Sequence, residues 1–350
     1  MKIALLFGGE SYEHEISIVS AITLKKVLNF ELEFIFCDGD RNFYQIPEKS
    51  MKATHFSSKE YKKNRKLHLT NGGFFHKTLF GKFDYIKFDY ILNLIHGADG
   101  EDGKIAGMLD FYNIKYVGPR LEGSILSFNK VLTKSFAKDL NVKVLEYEVF
   151  HGNKRDLEKL NFPIILKPAR LGSSIGVSIV REKKELDFAL DKAYEFDNVV
   201  LAEPFIEGIK EYNLAGYRAK DGMRYSIIEA PLKGELLDFE KKYLDFSRSE
   251  GAIEANLSKD LVKKIREVFD KIYSPYFEGA LIRCDFFIHE NEVILNEINP
   301  NPGSLAHYLF KDFNFEIESL ISNLPKNRKI SVSYEYINSI KKAKGKARQG

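Results

Sequence analysis

Cysteine is scarce: Cys37 and Cys284 are the two in 350 residues, and both fall in strand-like apolar runs without metal-ligand spacing. A disulfide scaffold and a cysteine-rich zinc site are therefore excluded, and buried thiols are expected. No apolar run reaches the length needed to span a bilayer, and Met1-Lys2 leads straight into a short strand with no signal-peptide organisation, so a cytoplasmic protein is expected. The common nucleotide fingerprints are missing as well. There is no G-x-G-x-x-G. The stretch His96-Gly97-Ala98-Asp99-Gly100-Glu101-Asp102-Gly103 resembles a Walker A loop only superficially, because Ala98 stands where Gly is needed and Ile105 where Ser or Thr is needed. Strong charge of one sign is also lacking. The net +3 arises in residues 326–350, with eight Lys or Arg against Glu335; the body carries 45 basic against 49 acidic residues, near −4, and offers no nucleic-acid surface. The final KKAKGKARQG lacks apolar periodicity and reads as a frayed terminus, with a weak arm for an anionic partner as the alternative, and no internal repeat is present.

What is present centres on residues 282–303, IRCDFFIHENEVILNEINPNPG. Two apolar runs, Ile282 to Ile288 and Val293 to Ile298, flank the polar turn His289-Glu290-Asn291-Glu292, which is the pattern of a β-hairpin. Alternation along a strand puts Arg283 and Asp285 on one face and Glu297 and Asn299 on one face. If Asp285 lies opposite Glu297, the register centres on Asn291, needs an odd-length loop and sets Arg283 opposite Asn299. Carboxylates gathered inside a fold repel and are costly to desolvate without a cation. Asp, Glu and Asn offer hard oxygens suited to Mg2+ carrying nucleotide phosphates. A solvated strand face with one salt bridge is the alternative, but the abrupt Asn-Pro-Asn-Pro-Gly stop, which cannot continue pairing, favours the metal reading.

In chain order, Lys2 to Phe7 is an apolar strand, Gly8-Gly9 a turn, His14 to about Leu28 a helical pattern and Leu32 to Cys37 the next strand. This opening predicts a parallel sheet with ligands at the strand C-termini. Residues 40–88 are polar and aromatic, with hairpin-like pieces at Lys66 to Thr70 and Gly72 to Gly81, and read as an insertion. Tyr90 to Ile95 resumes the sheet; its end runs into the Gly- and acid-rich loop, which opens a helix at Lys104 to Tyr112 whose amides can meet an anion. In the middle third, Phe162 to Lys167 is a strand, Pro168 to Gly176 (PARLGSSIG) a small-residue loop, and Val177 to Val180 a returning strand. Glycine amides and serine hydroxyls can approach phosphate oxygens, and a strand-loop-strand hairpin suits a lid better than a fixed cradle; a bland Gly-Ser turn is the alternative. Lys183 to Tyr194 is helical, then Val199 to Glu203 is a strand followed by Pro204-Phe205-Ile206-Glu207-Gly208, along which an adenine could pass. Glu203 and Glu211 supply acceptors for an amino group or ribose hydroxyls.

Taken together, Lys130, Lys167, the Gly-Ser loop, Glu203 to Glu211 and the Asp285/Glu297/Asn299 set resemble the ATP-grasp ligases. More narrowly, GGESYEHEIS at 8–17, HGADGEDGKIAG at 96–107, KPARLGSSIG at 167–176, EKKYLDF at 240–246, and RCDFF with NEINPNPG resemble the D-alanine:D-alanine ligase family, in the family's order over about residues 1–325. The insertion and the tail fall outside the resemblance. It implies an α/β, ATP-grasp fold of three domains: a Rossmann-like substrate domain (1–120, insertion about 40–88), a central ATP-grasp subdomain (121–209) and a C-terminal one with the metal and catalytic residues (210–325), then the basic tail.

The resemblance also implies roles. ATP would phosphorylate the carboxylate of one D-alanine, and the amine of a second would attack the acyl phosphate, as in peptidoglycan precursor synthesis. Glu13 would hold the first ammonium, with His96 nearby. Lys130 and Lys167 would bind phosphates, under a closing loop of Gly172, Ser173, Ser174 and Gly176. Pro204, Phe205 and Ile206 would line the adenine site, beside Glu203 and Glu211. Lys242 and Tyr243 would sit on a mobile lid over Gly234 to Asn256, the lysine on the transferring phosphoryl and the tyrosine hydrogen-bonded to Ser173 and Glu13. Asp285, Glu297 and Asn299 would hold two Mg2+ ions, with Mn2+ a substitute. Arg283 and the Gly303 amide would stabilise the oxyanion. Where many members carry a serine for the second carboxylate, this chain has Ser304, His307 and Tyr308 as candidates. The implied partners are D-alanine and ATP, with no nucleic acid and no membrane, in a homodimer. Two alternatives stay open: a ligase of the same kind with D-Ser or D-lactate as acceptor, and a non-catalytic ATP-binding regulator.

Overall fold

The computed structural model describes residues 1–78, 80–152, 156–231, 252–326 and 330–346. Strand β1 (Lys2–Gly8) is buried on both faces after its first residue, as expected of a central parallel strand covered by helices. Gly8 and Gly9, both with φ near +90 to +100°, turn the chain into α1 (His14–Val27); a Cβ on Gly8 would lie 2.0 Å from the Cys37 carbonyl oxygen, so no other residue fits. Strands β2 (Glu31–Cys37), β3 (Phe43–Gln45), β4 (Arg65–Thr70), β5 (Gly73–Lys77), β6 (Phe83–Tyr85), β7 (Tyr90–Asn93) and β8 (Tyr116–Val117) complete an eight-stranded sheet, in the order β6-β5-β4-β3-β2-β1-β7-β8. Its β2-β1-β7-β8 part is parallel and the rest antiparallel. The segment expected to be an insertion therefore extends the sheet. Phe43, Leu67 and Phe74 carry it into the same apolar cluster as Ile35 and Ile91, while the short helix α2 (Ala53–Ser57) covers the other side through Phe56.

Helix α3 (Lys104–Phe111) follows the loop after β7, and α4 (Leu121–Phe128) leads through Asn129 into α5 (Lys130–Asp139). The Asn129 side chain accepts from the amides of Val131 and Leu132, satisfying two of the orphan donors of α5. A second sheet, order β11-β10-β12-β9, contains β9 (Glu148–His151), β10 (Ile164–Pro168), β11 (Ser178–Val180) and β12 (Val199–Pro204), backed by α6 (Leu186–Tyr194).

The third sheet runs β14-β13-β15-β16, from β13 (Lys210–Ala219), β14 (Gly222–Glu229), β15 (Ile282–His289) and β16 (Glu292–Asn299). Leu261, Ile265, Phe269, Ile272 and Tyr273 recur at helical spacing and bury one stripe of α7 (Lys259–Tyr276); α8 (Phe313–Ser322) lies against β13. Both cysteines are buried free thiols. Among the described residues, no helix is long and apolar enough to cross a membrane.

The β15–β16 hairpin pairs Asp285 with Glu297 and Arg283 with Asn299, but not through an odd-length loop. Glu290 and Asn291, at φ 49° and 63°, form a two-residue turn closed by the His289–Glu292 pair. The register slips between Asp285 and Phe286, where Asn296 is the extra residue of a β-bulge. The tail also departs from expectation. It contains a helix, α9 (Glu335–Lys346), on which Tyr336, Ile337 and Ile340 are exposed.

Candidate active site

The second and third sheets meet at a cleft. Ile165 and Lys167 on β10, Pro204 on β12, the following Phe205, Ile206 and Ile209, Glu211 on β13, Phe287 on β15 and Asn296 and Glu297 on β16 line one cavity with Lys130, Leu145 and the loop Leu171 to Ser174. One part is an aliphatic and aromatic slot and the other is rich in cations and hydroxyls. This is a mixture suited to a flat base carrying phosphates.

Positive φ at Ser173 (53°), Ser174 (58°) and Gly176 (71°) folds the small-residue loop back between β10 and β11. Lys130 donates from Nζ to the Leu171 carbonyl oxygen at 2.6 Å, and its backbone amide donates to Ala169. The loop is thereby tied to the start of α5. Ser173 Oγ donates to Glu13 Oε1 at 2.5 Å, which joins the loop to the N-terminal sheet. Gly172 and Gly97 close on the same carboxylate from two sides: a Cβ at Gly172 would lie 2.9 Å from Glu13 Oε1, and one at Gly97 2.6 Å from Oε2.

Glu13 precedes α1 without capping it, which leaves its carboxylate for the site. Burial, reinforced by Glu101, pushes it up to about 6 despite the Ser173 hydrogen bond. His96, buried and held below the ordinary imidazole range by that burial, sits 2.9 Å from Ser20 Oγ through Nε2, with Nδ1 3.6 Å from Glu101. Glu101 itself is pushed up to about 8, chiefly by burial. A buried cluster with an excess of carboxylate over cation is a place prepared for an ammonium group.

On the hairpin, Arg283 forks onto Asp285, Nε to Oδ1 at 2.7 Å and Nη2 to Oδ2 at 2.8 Å, and Asn299 Nδ2 donates to Oδ2 at 3.0 Å. Burial raises the Asp285 carboxyl; the guanidinium opposes this and the facing Glu297 adds to it. Among the described residues no group of three or more His, Cys, Asp or Glu forms a self-sufficient metal site. Asp285, Glu297 and Asn299 nonetheless fit a hard divalent ion that takes its remaining oxygens from a bound phosphate.

Beyond β16, Ser304, Leu305 and Ala306 adopt left-handed φ near 50° inside the 3-10 turn Gly303–Leu309. The Ser304 amide donates to Ser20 Oγ, and Asn301 Nδ2 donates to the Ile95 carbonyl, so the end of the hairpin is anchored to the N-terminal sheet beside His96. Of the candidates for a second carboxylate, His307 Nδ1 is 3.2 Å from the Ser304 carbonyl oxygen, whereas Tyr308 stands beside Arg283, its phenol raised by burial and moderated by that guanidinium.

One candidate is set back from the cavity surface. The Glu203 carboxylate does not line the cavity: it is 1% exposed and held behind it by Lys167 and Lys134. Glu203 stands opposite Ile165 on the face of the sheet turned away from α6, beneath the Lys167 amine that lines the cavity. Lys242 and Tyr243 lie outside the described residues, as does most of Gly234 to Asn256. The flanks of that stretch pair at the edge of the third sheet, through Ala230 with Ile253 and Ala255 with Ile228. Four participants were missed. By sequence Glu101 is one acid of a glycine-rich loop, the facing of Asn296 depends on the bulge, Ser20 is an ordinary position in a helical pattern, and the one signal for Lys134 is that Lys130-x-x-x-Lys134 shares a helical face.

Two family models match the chain, "D-ala D-ala ligase N-terminus" over residues 2–119 and "D-ala D-ala ligase C-terminus" over 136–324. The chain belongs to the D-alanine:D-alanine ligase family. A D-alanine--D-alanine ligase of Campylobacter jejuni is 56% identical over 346 residues, covering 99% of this chain and all of that one, and the Sulfurimonas denitrificans ligase is 56% identical over 347. The crystal structure of the D-alanine-D-alanine ligase from Helicobacter pylori superposes with a TM-score of 0.84 at 48% identity, covering 94% of this chain and 100% of that one. A D-Ala:D-Ser ligase, VanG from Enterococcus faecalis, shares the fold at TM-score 0.72 and 24% identity, covering 92% and 98%. The first family model runs through residues 40–88, consistent with strands that belong to the sheet.

Proposed function

We propose that this enzyme joins two D-alanines into D-alanyl-D-alanine at the expense of ATP, through an acyl phosphate, for peptidoglycan precursor synthesis. The observation that carries the reading is the convergence on one cleft of Ser173, bonded to Glu13, of Lys130 and Lys167, and of Glu297, paired with Asp285. An ammonium-holding carboxylate, phosphate-seeking cations and a hard-oxygen pair are what phosphoryl transfer to an amino-acid carboxylate requires.

In this reading Glu13 takes the ammonium of the first D-alanine, steadied by Ser173 and close to His96. Lys130 and Lys167 take phosphate oxygens under the Gly172–Gly176 loop, and the slot along Pro204 to Ile206, with Glu211, takes the nucleoside. Asp285, Glu297 and Asn299 would hold Mg2+, as two ions, which supplies charge neutralisation for the transferring phosphoryl group. Once the second amine attacks, Arg283 and the Gly303 amide face the developing oxyanion, and phosphate leaves. Tyr308 is the residue we assign to the second carboxylate, since its hydroxyl neighbours Arg283. The roles of Lys242 at the phosphoryl group and Tyr243 in a lid network rest on the family resemblance. The exposed apolar residues Phe111, Leu121 and Ile125, on adjoining α3 and α4, suit a face covered by a second copy, and the reading carries a cytoplasmic homodimer.

Phosphate release in the presence of ATP and Mg2+ tests the proposal. D-Ala should support turnover well above D-Ser, D-lactate or L-Ala. Release that needs D-Ser would reassign the acceptor, and no release with any of them would leave only nucleotide binding.

A further inference from the structure

Behind the cavity lies a buried triad that the proposed chemistry does not use in full. Glu203 on β12 presents Oε2 to Lys167 Nζ at 2.7 Å and Oε1 to Lys134 Nζ in a close ion pair. Lys167 also donates to Asn296 Oδ1 at 3.3 Å and lines the cavity. Lys134 does neither. Its side chain is 1% exposed, it lies one helical turn beyond Lys130 on the buried face of α5, and its amine is sealed against Glu203. With two lysines on one carboxylate the triad by itself carries one positive charge in excess, answered in part by Glu297 and Glu211 nearby. Such a surplus is expensive inside a protein unless it is used when an anion arrives.

We propose that Lys134 is a positioning residue of the nucleotide site: the permanent counter-ion of Glu203, which frees Lys167 to leave that carboxylate for a phosphate of the bound nucleotide. The proposal rests on the ATP reading of the cleft. Its logic is charge conservation. When Lys167 swings toward the cavity, Glu203 stays buried, and without Lys134 it would be left as an unpaired charge. Lys167 would then be held back, and nucleotide affinity would fall. Lys134 cannot reach the cavity itself, so its effect on nucleotide passes through Glu203. Burial lowers the Lys134 amine, with Glu203 opposing it, while the two lysines hold the Glu203 carboxyl down to about 2 against its own burial.

The test is nucleotide binding by calorimetry, together with steady-state kinetics, on the full chain with Mg2+. Lys134→Met should weaken ATP binding on the order of tenfold or more and raise the KM for ATP correspondingly, with kcat at saturating ATP falling much less. Lys134→Arg should retain most of the affinity. The decisive comparison is with Glu203→Gln, which removes the charge that Lys134 answers. In that background Lys134→Met should make little further difference, within about threefold, so that the double variant binds ATP like Glu203→Gln alone. This comparison stands even if the single Lys134→Met chain does not fold. Equal affinity of Lys134→Met and wild type, or a loss that persists undiminished in the Glu203→Gln background, would overturn the proposal and make Lys134 a packing residue. A wild-type chain that binds no ATP would instead overturn the reading of the cleft.

Discussion

Two sets of buried carboxylates lie around the cleft, and they have opposite fates. Glu203 has two lysines and is held down to about 2; Glu101 and Glu13, near the ends of β7 and β1, lack a full complement of cations and are pushed up to about 8 and about 6. Burial acts on all three in the same direction. The partner decides, and a carboxylate already neutralised belongs to the scaffold, whereas one still short of cation is available to a substrate. The Asp285–Glu297 pair is of the second kind, with one guanidinium, held on Asp285, for two acids.

The comparison can be broken most severely at the hairpin. Glu297→Gln should reduce phosphate release on the order of a hundredfold to a thousandfold while leaving the fold intact, because a hard-ion site loses one of its two anionic ligands. Near-normal turnover at ordinary Mg2+ would remove the metal assignment. Glu13→Gln comes next. It should lower kcat/KM for D-alanine roughly ten- to a hundredfold, the scale of one charge-assisted hydrogen bond. In the wild type the same parameter should fall as pH drops through about 6, since Glu13 must be ionised to hold an ammonium; a flat profile between pH 5 and 8 would show that another group binds it.

Stability without substrate should distinguish the two sets by sign. Glu101 is raised above its ordinary 4.5, so its contribution is fully present below 4.5 and is lost as pH rises through about 8; Glu203 is depressed, so its contribution is present above 4.5 and is lost as pH falls toward about 2. Glu101→Gln should therefore raise Tm by roughly a few degrees near pH 8.5, with the difference vanishing near pH 4.5. A variant that melts like the wild type throughout would place Glu101 in water rather than in the interior. The smallest effect is expected far from both sets. Removing residues 331–350, whose described apolar side chains from Val332 to Ile340 are exposed, should leave turnover unchanged; a large loss would mean that α9 docks on the body.

Much of this was legible in the order of residues. The alternation in 282–299 put Arg283, Asp285, Glu297 and Asn299 on one side of a hairpin, and the strand-loop-strand form of 162–180 is present as β10 and β11. Local patterns report local geometry, and those elements are local. The Glu203–Lys134 contact joins residues 69 positions apart on different elements, and nothing in either neighbourhood announces which way the glutamate turns. Residues 40–88 looked detachable because their edge strands are short and polar on one side, although Phe43, Leu67 and Phe74 on the other side commit them to the core. The two-residue turn was hidden for a different reason. The facing of Asp285 and Glu297 implies an odd loop only if the ladder is regular, and Asn296 reads as an ordinary strand residue.

That extra residue makes the hairpin modular. On either side of Asn296 the pairing is regular, Asp285 with Glu297 toward the open end and Phe286 with Leu295 toward the turn, so the strand behaves as two rulers spliced by one spare notch. Cutting out the notch would leave both rulers aligned and both acids in place, and would remove only the amide that reaches Lys167. An engineer could therefore alter the grip on the nucleotide-facing lysine by changing the length of the strand, a kind of edit that ordinarily scrambles a sheet.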